Sequence, residues 1–154
     1  MEMPRPTDAH KKLELFAGTW TGEETMFPSQ WDPGGGKATG KSASKVSADG
    51  FVVAGDYEQS RSGQRTFAGH AVYSYDPAEK RYVLHWWDSM GMSVEVFYGR
   101  FEGQVITFES RNPMGHSKLV YDFSKPGEIK SRMEMSPDGK TYKPMMEGVY
   151  RRQG

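Results

Sequence analysis

Residues 35–42 read Gly-Gly-Lys-Ala-Thr-Gly-Lys-Ser and match a Walker A string, which in nucleotide-binding proteins holds phosphate groups. Such a loop works between a buried strand and a helix whose N-terminus faces the phosphates. Residues 29–33 are not an apolar strand, and a turn at Gly50 follows too soon for a helix. We therefore interpret residues 28–40 as a long irregular connection, either a lid or a simple loop, and not as a nucleotide site.

His70 and His85 suggest metal chemistry because they flank the turn at residues 76–80 at nearly equal distances. Pairing of the two flanking strands in either expected register puts both imidazoles on one face. Two imidazoles with a carboxylate can bind zinc or iron, and Glu95 is a third ligand in one of the two registers. The spacing is not that of a dense metal motif, so a structural histidine pair at the barrel surface is favoured.

Aromatic and sulfur-containing side chains favour binding over catalysis. No group of serine, histidine and acid can be assembled from local spacing. The ten methionines suit a pliable lining, while aromatic rings supply contact area and hydroxyls supply orientation. We predict an interior pocket for a small hydrophobic or aromatic molecule, with a solidly packed core as the alternative. The predicted lining residues are Tyr73, Trp86, Tyr98, Tyr121, Met133, Met135 and Met146.

The elements that must position these side chains are short strands. Turn residues recur about every dozen residues from Gly35 to Gly139, which is typical of an all-β protein. Short connections join only antiparallel neighbours, and roughly ten strands are too many for a small open sheet. Residues 7–17 predict a short helix. The predicted fold is therefore all-β, a single antiparallel meander barrel of about ten strands in one domain over residues 1–154, with a short N-terminal helix.

The C-terminal third of the chain predicts which side chains face inward. If residues 125–127 and 137–139 are hairpin loops, alternating residues divide into a charged outer face and an apolar inner face. The predicted inner face consists of Leu119, Tyr121, Phe123, Met133, Met135, Tyr142, Pro144 and Met146.

Charge and composition restrict the classes of molecule that the protein is expected to bind and the compartment in which it is expected to occur. Lys plus Arg and Asp plus Glu both total 20, so no net charge attracts nucleic acid or an anionic membrane. The chain has no cysteine, which excludes disulfides and thiol nucleophiles and fits a reducing compartment. Residues 1–6 contain no apolar run of the signal-peptide kind. We expect a cytoplasmic protein that binds neither nucleic acid nor membrane.

A resemblance to known proteins is carried by residues 15–22, Leu-Phe-Ala-Gly-Thr-Trp-Thr-Gly, and by residues 69–89 with their Trp-Trp-Asp-Ser ending. Together they resemble the bacterial family known as domain of unknown function 1579 over nearly the whole chain. The resemblance implies a lipocalin-like, calycin-type barrel and no established activity. Trp20 also resembles the first-strand tryptophan of lipocalins and fatty-acid-binding proteins, across which a cation of the last strand packs. That barrel-closing role falls to Arg151, with Arg152 as the alternative.

Residues 18–23 are also similar to the opening of nitrobindin-like haem barrels. Those proteins take their iron ligand from a histidine near the C-terminus, whereas the last histidine here is His116. We expect no cofactor and keep haem as an alternative, with His116, His85, His70 or a methionine as the ligand.

A third alternative is a structural or interaction barrel that forms a homodimer through exposed aromatic side chains. A large contiguous apolar surface would support this alternative, and the residues to inspect for it are Trp31, Trp87 and Phe97.

Overall fold

Consecutive strands pair antiparallel, and the last strand pairs with the first, so the sheet closes into a barrel. The computed structural model describes residues 2–154. The predicted all-β meander barrel of about ten strands is confirmed. The strands are β1 Gly18–Met26, β2 Gly36–Ser47, β3 Val52–Arg61, β4 Gln64–Asp76, β5 Arg81–Asp88, β6 Glu95–Glu102, β7 Val105–Asn112, β8 Gly115–Asp122, β9 Glu128–Ser136 and β10 Lys143–Arg152.

Alternation of side chains along each strand divides the barrel into an interior and an outer face. In β7, Ile106, Phe108 and Ser110 are buried, whereas Glu109 between them is exposed. Successive side chains of a strand point to opposite faces, so a period of two places every second residue inside. The same alternation in β1 turns Trp20 and Glu24 into the barrel.

A short helical segment precedes the barrel, as predicted. It consists of an α-helix, α1, over Asp8–Lys11, followed directly by a 3-10 helix over Lys12–Phe16. Leu13 and Phe16 are buried, and the Phe16 ring stacks on Tyr73 with centroids 3.9 Å apart. We call the end of the barrel where this segment packs the closed end, and the opposite end the open end. No helix within residues 2–154 has the length and apolar character needed to cross a membrane.

The connection between β1 and β2 is shorter than predicted. It covers residues 27–35, because β2 begins at Gly36 and pairs with β1 from its first residues. The prediction of an irregular segment through residue 40 is therefore wrong. Most of the Walker-like string lies in β2, and it leads into no helix.

A β-bulge in β10 changes the register predicted for the C-terminal hairpin. The irregularity lies between Pro144 and Met146, and Pro144 pairs with Glu134 on the outer row. Tyr142 packs under Lys118, whose Nζ atom lies 4.2 Å from the centre of the ring. The prediction that Tyr142 and Pro144 face inward is therefore wrong, because the bulge adds one residue to the strand.

Candidate functional site

The barrel interior contains a cavity of about 390 Å³. Its walls run from Phe16 at the closed end to Trp31, which lies in the β1–β2 loop and is 56% exposed. The cavity therefore reaches the surface at the open end, while the helical segment covers the closed end. Small-molecule pockets commonly measure about 300–1,000 Å³, so this volume suits a small molecule.

Most of the residues predicted to line a pocket do so. Tyr98 is an exception, because it lies on the outer face, is 42% exposed, and has the Arg81 guanidinium 3.7 Å above its ring centre. Its neighbour Phe97 is the inward residue of β6 and is 3% exposed. Met135 is also outside the set of lining residues. The predicted residues that do line the cavity are Tyr73, Trp86, Tyr121, Met133 and Met146.

A buried carboxylate that the sequence interpretation missed lies beside the cavity. Glu24 of β1 is 0% exposed. Its Oε2 atom accepts hydrogen bonds from the hydroxyl of Tyr57, at 2.6 Å, and from the hydroxyl of Tyr150. Its Oε1 atom accepts one from Nε2 of Gln59 at 3.0 Å. All three donors are neutral groups, so hydrogen bonds rather than an ion pair satisfy this buried acid.

The location of Glu24 follows from two local features. It lies four residues after Trp20, on the row of β1 that faces inward. On the neighbouring strand, a Cβ atom at Gly40 would overlap the Glu24 carboxylate, so the absence of a side chain there makes room for it. The alternation of inward and outward residues in β1 could have identified Glu24 as an inward acid. Its hydrogen-bond partners lie on β3 and β10, and the sequence does not reveal how these strands are aligned with β1.

The phenols around the cavity are neutral donors and acceptors. Burial, followed by the nearby Glu24 charge, raises the pKa of both Tyr57 and Tyr150. Deeper in the barrel, the hydroxyls of Tyr73 and Tyr121 lie 3.3 Å apart. Burial raises the pKa of Tyr121 to about 12 and that of Tyr73 well above its usual value. All four hydroxyls therefore keep their protons at neutral pH.

Three aromatic rings lie together on one side of the cavity near the open end. The ring centroid of Tyr57 lies 6.2 Å from that of Phe67 and 6.1 Å from that of Trp86, and the Phe67 and Trp86 centroids are 6.4 Å apart. A Cβ atom at Gly69 would overlap the Trp86 indole, so the absence of a side chain at this position of β4 makes room for the ring. The three rings thus form one aromatic wall of the cavity.

Two carboxylates adjoin this aromatic wall. The indole Nε1 of Trp86 donates to Oδ2 of Asp88 at 2.8 Å. Glu95 lies directly across from Trp86 on β6, and its Oε2 atom accepts hydrogen bonds from Asn112 at 2.7 Å and from Ser110 at 3.3 Å. Both carboxylates line the cavity. We call the aromatic wall and its two acids the mouth cluster, which consists of Tyr57, Phe67, Trp86, Asp88 and Glu95.

The two histidines considered as metal ligands lie outside the barrel. His70 pairs with Trp87 and His85 pairs with Val72, so both imidazoles are on the outer face. The Trp87 ring lies between them, with centroid distances of 6.2 and 6.3 Å. Glu95 faces the interior and cannot join them. Among residues 2–154, no three His, Asp or Glu side chains come together in a group that could hold a metal ion.

If haem bound in the cavity, its iron ligand would have to be a methionine sulfur from the lining. Neither a histidine nor a basic side chain belongs to the part of the lining that residues 2–154 provide. These residues therefore do not match a histidine-ligated haem with paired propionates. The sulfur atoms on the lining belong to Met26, Met133, Met145 and Met146.

The cation across Trp20 is Arg152. Its guanidinium carbon lies 4.6 Å from the centre of the indole, whereas Arg151 donates to Oε1 of Glu128 at 2.9 Å. Trp20 pairs with Arg152 across β1 and β10, and directly paired residues of antiparallel strands share a face. The assignment to Arg151 is therefore wrong, and the alternative Arg152 provides the contact.

The aromatic residues predicted for an interaction surface are found in different places. Phe97 is buried in the barrel, so it cannot contribute to an outer surface. Trp31 lies at the open end, and Trp87 is exposed on the outer face between the two histidines. The three side chains therefore do not share one exposed surface, and homodimer formation stays a prediction.

Comparisons with known proteins agree with this fold. The crystal structure of Rv2717c from M. tuberculosis is similar, with a TM-score of 0.73 and 13% sequence identity over 96% of this chain and 99% of that one. At this identity the likeness shows the fold alone. No curated protein gives a significant match. A family model described as "Protein of unknown function (DUF1579)" matches residues 5–152. The chain therefore belongs to the DUF1579 family and has a lipocalin-like barrel.

Proposed function

We propose that the barrel binds a small hydrophobic or aromatic molecule in its interior. The observation that carries the proposal is the cavity of about 390 Å³ between the helical segment and the open end. An interior packed only for stability would leave few voids larger than a water molecule. A cavity of this size, lined mainly by aromatic and methionine side chains, favours a ligand-binding interior.

The two ends of the barrel support this proposal. At the closed end, Leu13 and Phe16 are buried, and the Tyr82 hydroxyl fixes the helical segment by donating to the Ala9 carbonyl oxygen at 2.7 Å. At the open end, Phe27 and Trp31 of the β1–β2 loop contact the cavity. A molecule would therefore enter past this loop and meet a sealed base.

The lining supports an apolar ligand of variable shape. Burial of apolar surface contributes roughly 25 cal/mol per Å², so a ligand enclosed by these walls gains affinity mainly from contact area. Methionine side chains adjust to irregular shapes. The neutral hydroxyls of Tyr73 and Tyr121 can orient a ligand through hydrogen bonds without requiring a charge on it.

Two substitutions on neighbouring residues of β2 test the proposal. Ser42 lines the cavity, whereas Ala43 is exposed on the outer face. We expect the neutral dye N-phenyl-1-naphthylamine to increase in fluorescence with the wild-type protein and with Ala43→Trp. Ser42→Trp fills the cavity and is expected to weaken dye binding by about tenfold or more, equivalent to about 1.4 kcal/mol.

Circular dichroism and the thermal midpoint show whether each variant is folded before dye binding is compared. Equal binding by folded Ser42→Trp and Ala43→Trp would place the dye outside the barrel and contradict the proposal. Addition of haemin to the same proteins tests the haem alternative, because a Soret band that Ser42→Trp abolishes would indicate an interior haem. Cytoplasmic location and homodimer formation stay predictions.

A further inference from the structure

We infer that the ligand of this barrel carries a positively charged amine held by the mouth cluster, and that the cavity rejects a carboxylate of the same shape. The inference rests on the proposed function and specifies the chemical class of the ligand. Its basis is the combination of unpaired acids, aromatic rings and the absence of basic groups from the lining that residues 2–154 provide.

The charged residues that line the cavity, in the part of the chain from 2 to 154, are all acidic. Asp32 forms an ion pair with Arg61 at 2.6 Å, and Asp56 lies 2.8 Å from His70 on the outer face. Asp88 and Glu95 form no ion pair with any described residue. Two carboxylates at the mouth therefore lack a cation.

Glu24 adds a third acid close to the same space. It is buried behind the wall and is held by Tyr57, Gln59 and Tyr150, all of which line the cavity. The interaction of two charges is stronger in a poorly hydrated interior than in water. An entering anion would lose hydration and meet no basic partner, whereas an entering cation would be attracted.

The aromatic wall favours a cation for a separate reason. The faces of Trp, Tyr and Phe rings attract cations, and the attraction is strongest where the groups are desolvated. Tyr57, Phe67 and Trp86 provide three such rings, whose centroids lie 6.4 Å or less from one another. Recognition of alkylammonium groups by several aromatic rings is a common use of this interaction.

Glu95 is the carboxylate best placed to meet the amine. Both hydrogen bonds that it accepts, from Ser110 and Asn112, are on Oε2. They hold the side chain against β7 and do not neutralise it. Because Glu95 pairs directly with Trp86, both side chains face the cavity side by side, and an ammonium group at the mouth could contact the carboxylate and the indole.

The deeper part of the cavity suits the rest of such a molecule. Leu119, Tyr121 and Ile129 provide an apolar wall. Ser131 is 7% exposed and lines the cavity, and its Oγ atom is buried without a hydrogen-bond partner in the described structure. An amine with an apolar body, and with at most a small polar group at its far end, matches these surroundings.

Three probes with one aromatic body and different charges test the inference. They are 2-naphthylmethylamine, 2-naphthylmethanol and 2-naphthoic acid, with binding measured by calorimetry at neutral pH. We expect the amine to bind about tenfold more tightly than the alcohol, and the acid to bind more weakly than the alcohol. Binding of all three should be weakened by Ser42→Trp if they occupy the cavity.

Glu95→Gln removes the charge with little change of shape. We expect it to weaken binding of the amine by about tenfold, because a hydrogen bond to a charged group is stronger than one to a neutral amide. Binding of the alcohol should change by less than about threefold. The matched control is Glu109→Gln, which removes the same charge from the exposed face of β7 and should leave both affinities unchanged.

The outcomes separate this inference from the proposed function. If the alcohol or the neutral dye binds inside and the acid binds as tightly as the amine, the barrel is a container and the inference is overturned. If Glu95→Gln and Glu109→Gln affect the amine equally, the assignment to the mouth cluster is wrong. If neither the probes nor the dye bind in a way that Ser42→Trp weakens, the proposed function fails, and the inference fails with it.

Discussion

The buried carboxylate of Glu24 accepts a hydrogen bond from the phenol of Tyr150, which lies 126 residues later in the chain. The two residues meet because β1, which carries Glu24, pairs with β10, the last strand. Tyr57 and Gln59 extend the network to β3. This polar cluster therefore depends on closure of the barrel and connects its first, third and last strands.

Replacement of Glu24 by alanine is expected to destabilise the barrel strongly. The change leaves the phenols of Tyr57 and Tyr150 with no acceptor, and an unsatisfied buried polar group costs about 1–3 kcal/mol. Gln59 loses one acceptor and keeps the Tyr57 hydroxyl, which lies 3.1 Å from its Nε2 atom. We expect a loss of about 3 kcal/mol or more in the free energy of unfolding, measured by urea denaturation. Glu23→Ala removes an exposed carboxylate one residue away and should leave the midpoint nearly unchanged. Similar midpoints for the two variants would show that the cluster contributes little.

The contact between Trp20 and Arg152 is expected to appear as a coupling in a double-mutant cycle. Trp20→Leu, which removes the aromatic face, and Arg152→Gln should show an interaction energy of about 0.5–2 kcal/mol, the range of cation–π contacts. Urea denaturation of the two single variants and the double variant measures it. The matched cycle with Arg151→Gln should give no coupling, because Arg151 contacts Glu128. A larger coupling for Arg151 would reverse the assignment.

Stability is expected to fall at high pH because of the buried phenols. Burial raises the pKa of Tyr121 in the folded protein to about 12 from 10.0. Below about pH 10 both the folded and the unfolded states keep this proton, so the stabilisation is fully present. Between about pH 10 and 12 the unfolded state releases the proton first, and the free energy of unfolding falls as the pH rises.

Urea denaturation across this alkaline range measures the decline, and Tyr121→Phe should make it shallower by up to about 1.4 kcal/mol per pH unit. Tyr57, Tyr73 and Tyr150 also have raised pKa values and should account for part of the remaining decline. In an absorbance titration, phenolate should form at lower pH in urea than in the native protein. Identical slopes for wild type and Tyr121→Phe would contradict this prediction.

Several residues show where interpretation of the sequence succeeds. Tyr73, Trp86 and Tyr121 line the cavity as predicted, because alternation within a strand is a local property. Tyr98 was predicted on the wrong face, since the inward row of β6 belongs to its neighbour Phe97. In β10 the bulge near Met146 moved Tyr142 and Pro144 away from the predicted face. A bulge depends on how two strands fit together, so one strand's pattern does not reveal it.

The class of fold, the approximate number of strands and the short helix at the start could all be predicted from the amino-acid sequence. Turn residues, the period of two and helix-ending signals act over a few residues, and their effects can be predicted without knowing which strands meet. The folded barrel was needed to show that Arg152 covers Trp20, that Glu24 has three neutral partners, and that Glu95 pairs with Trp86. These contacts depend on strand register and barrel closure, because a shift of one residue turns a side chain to the opposite face.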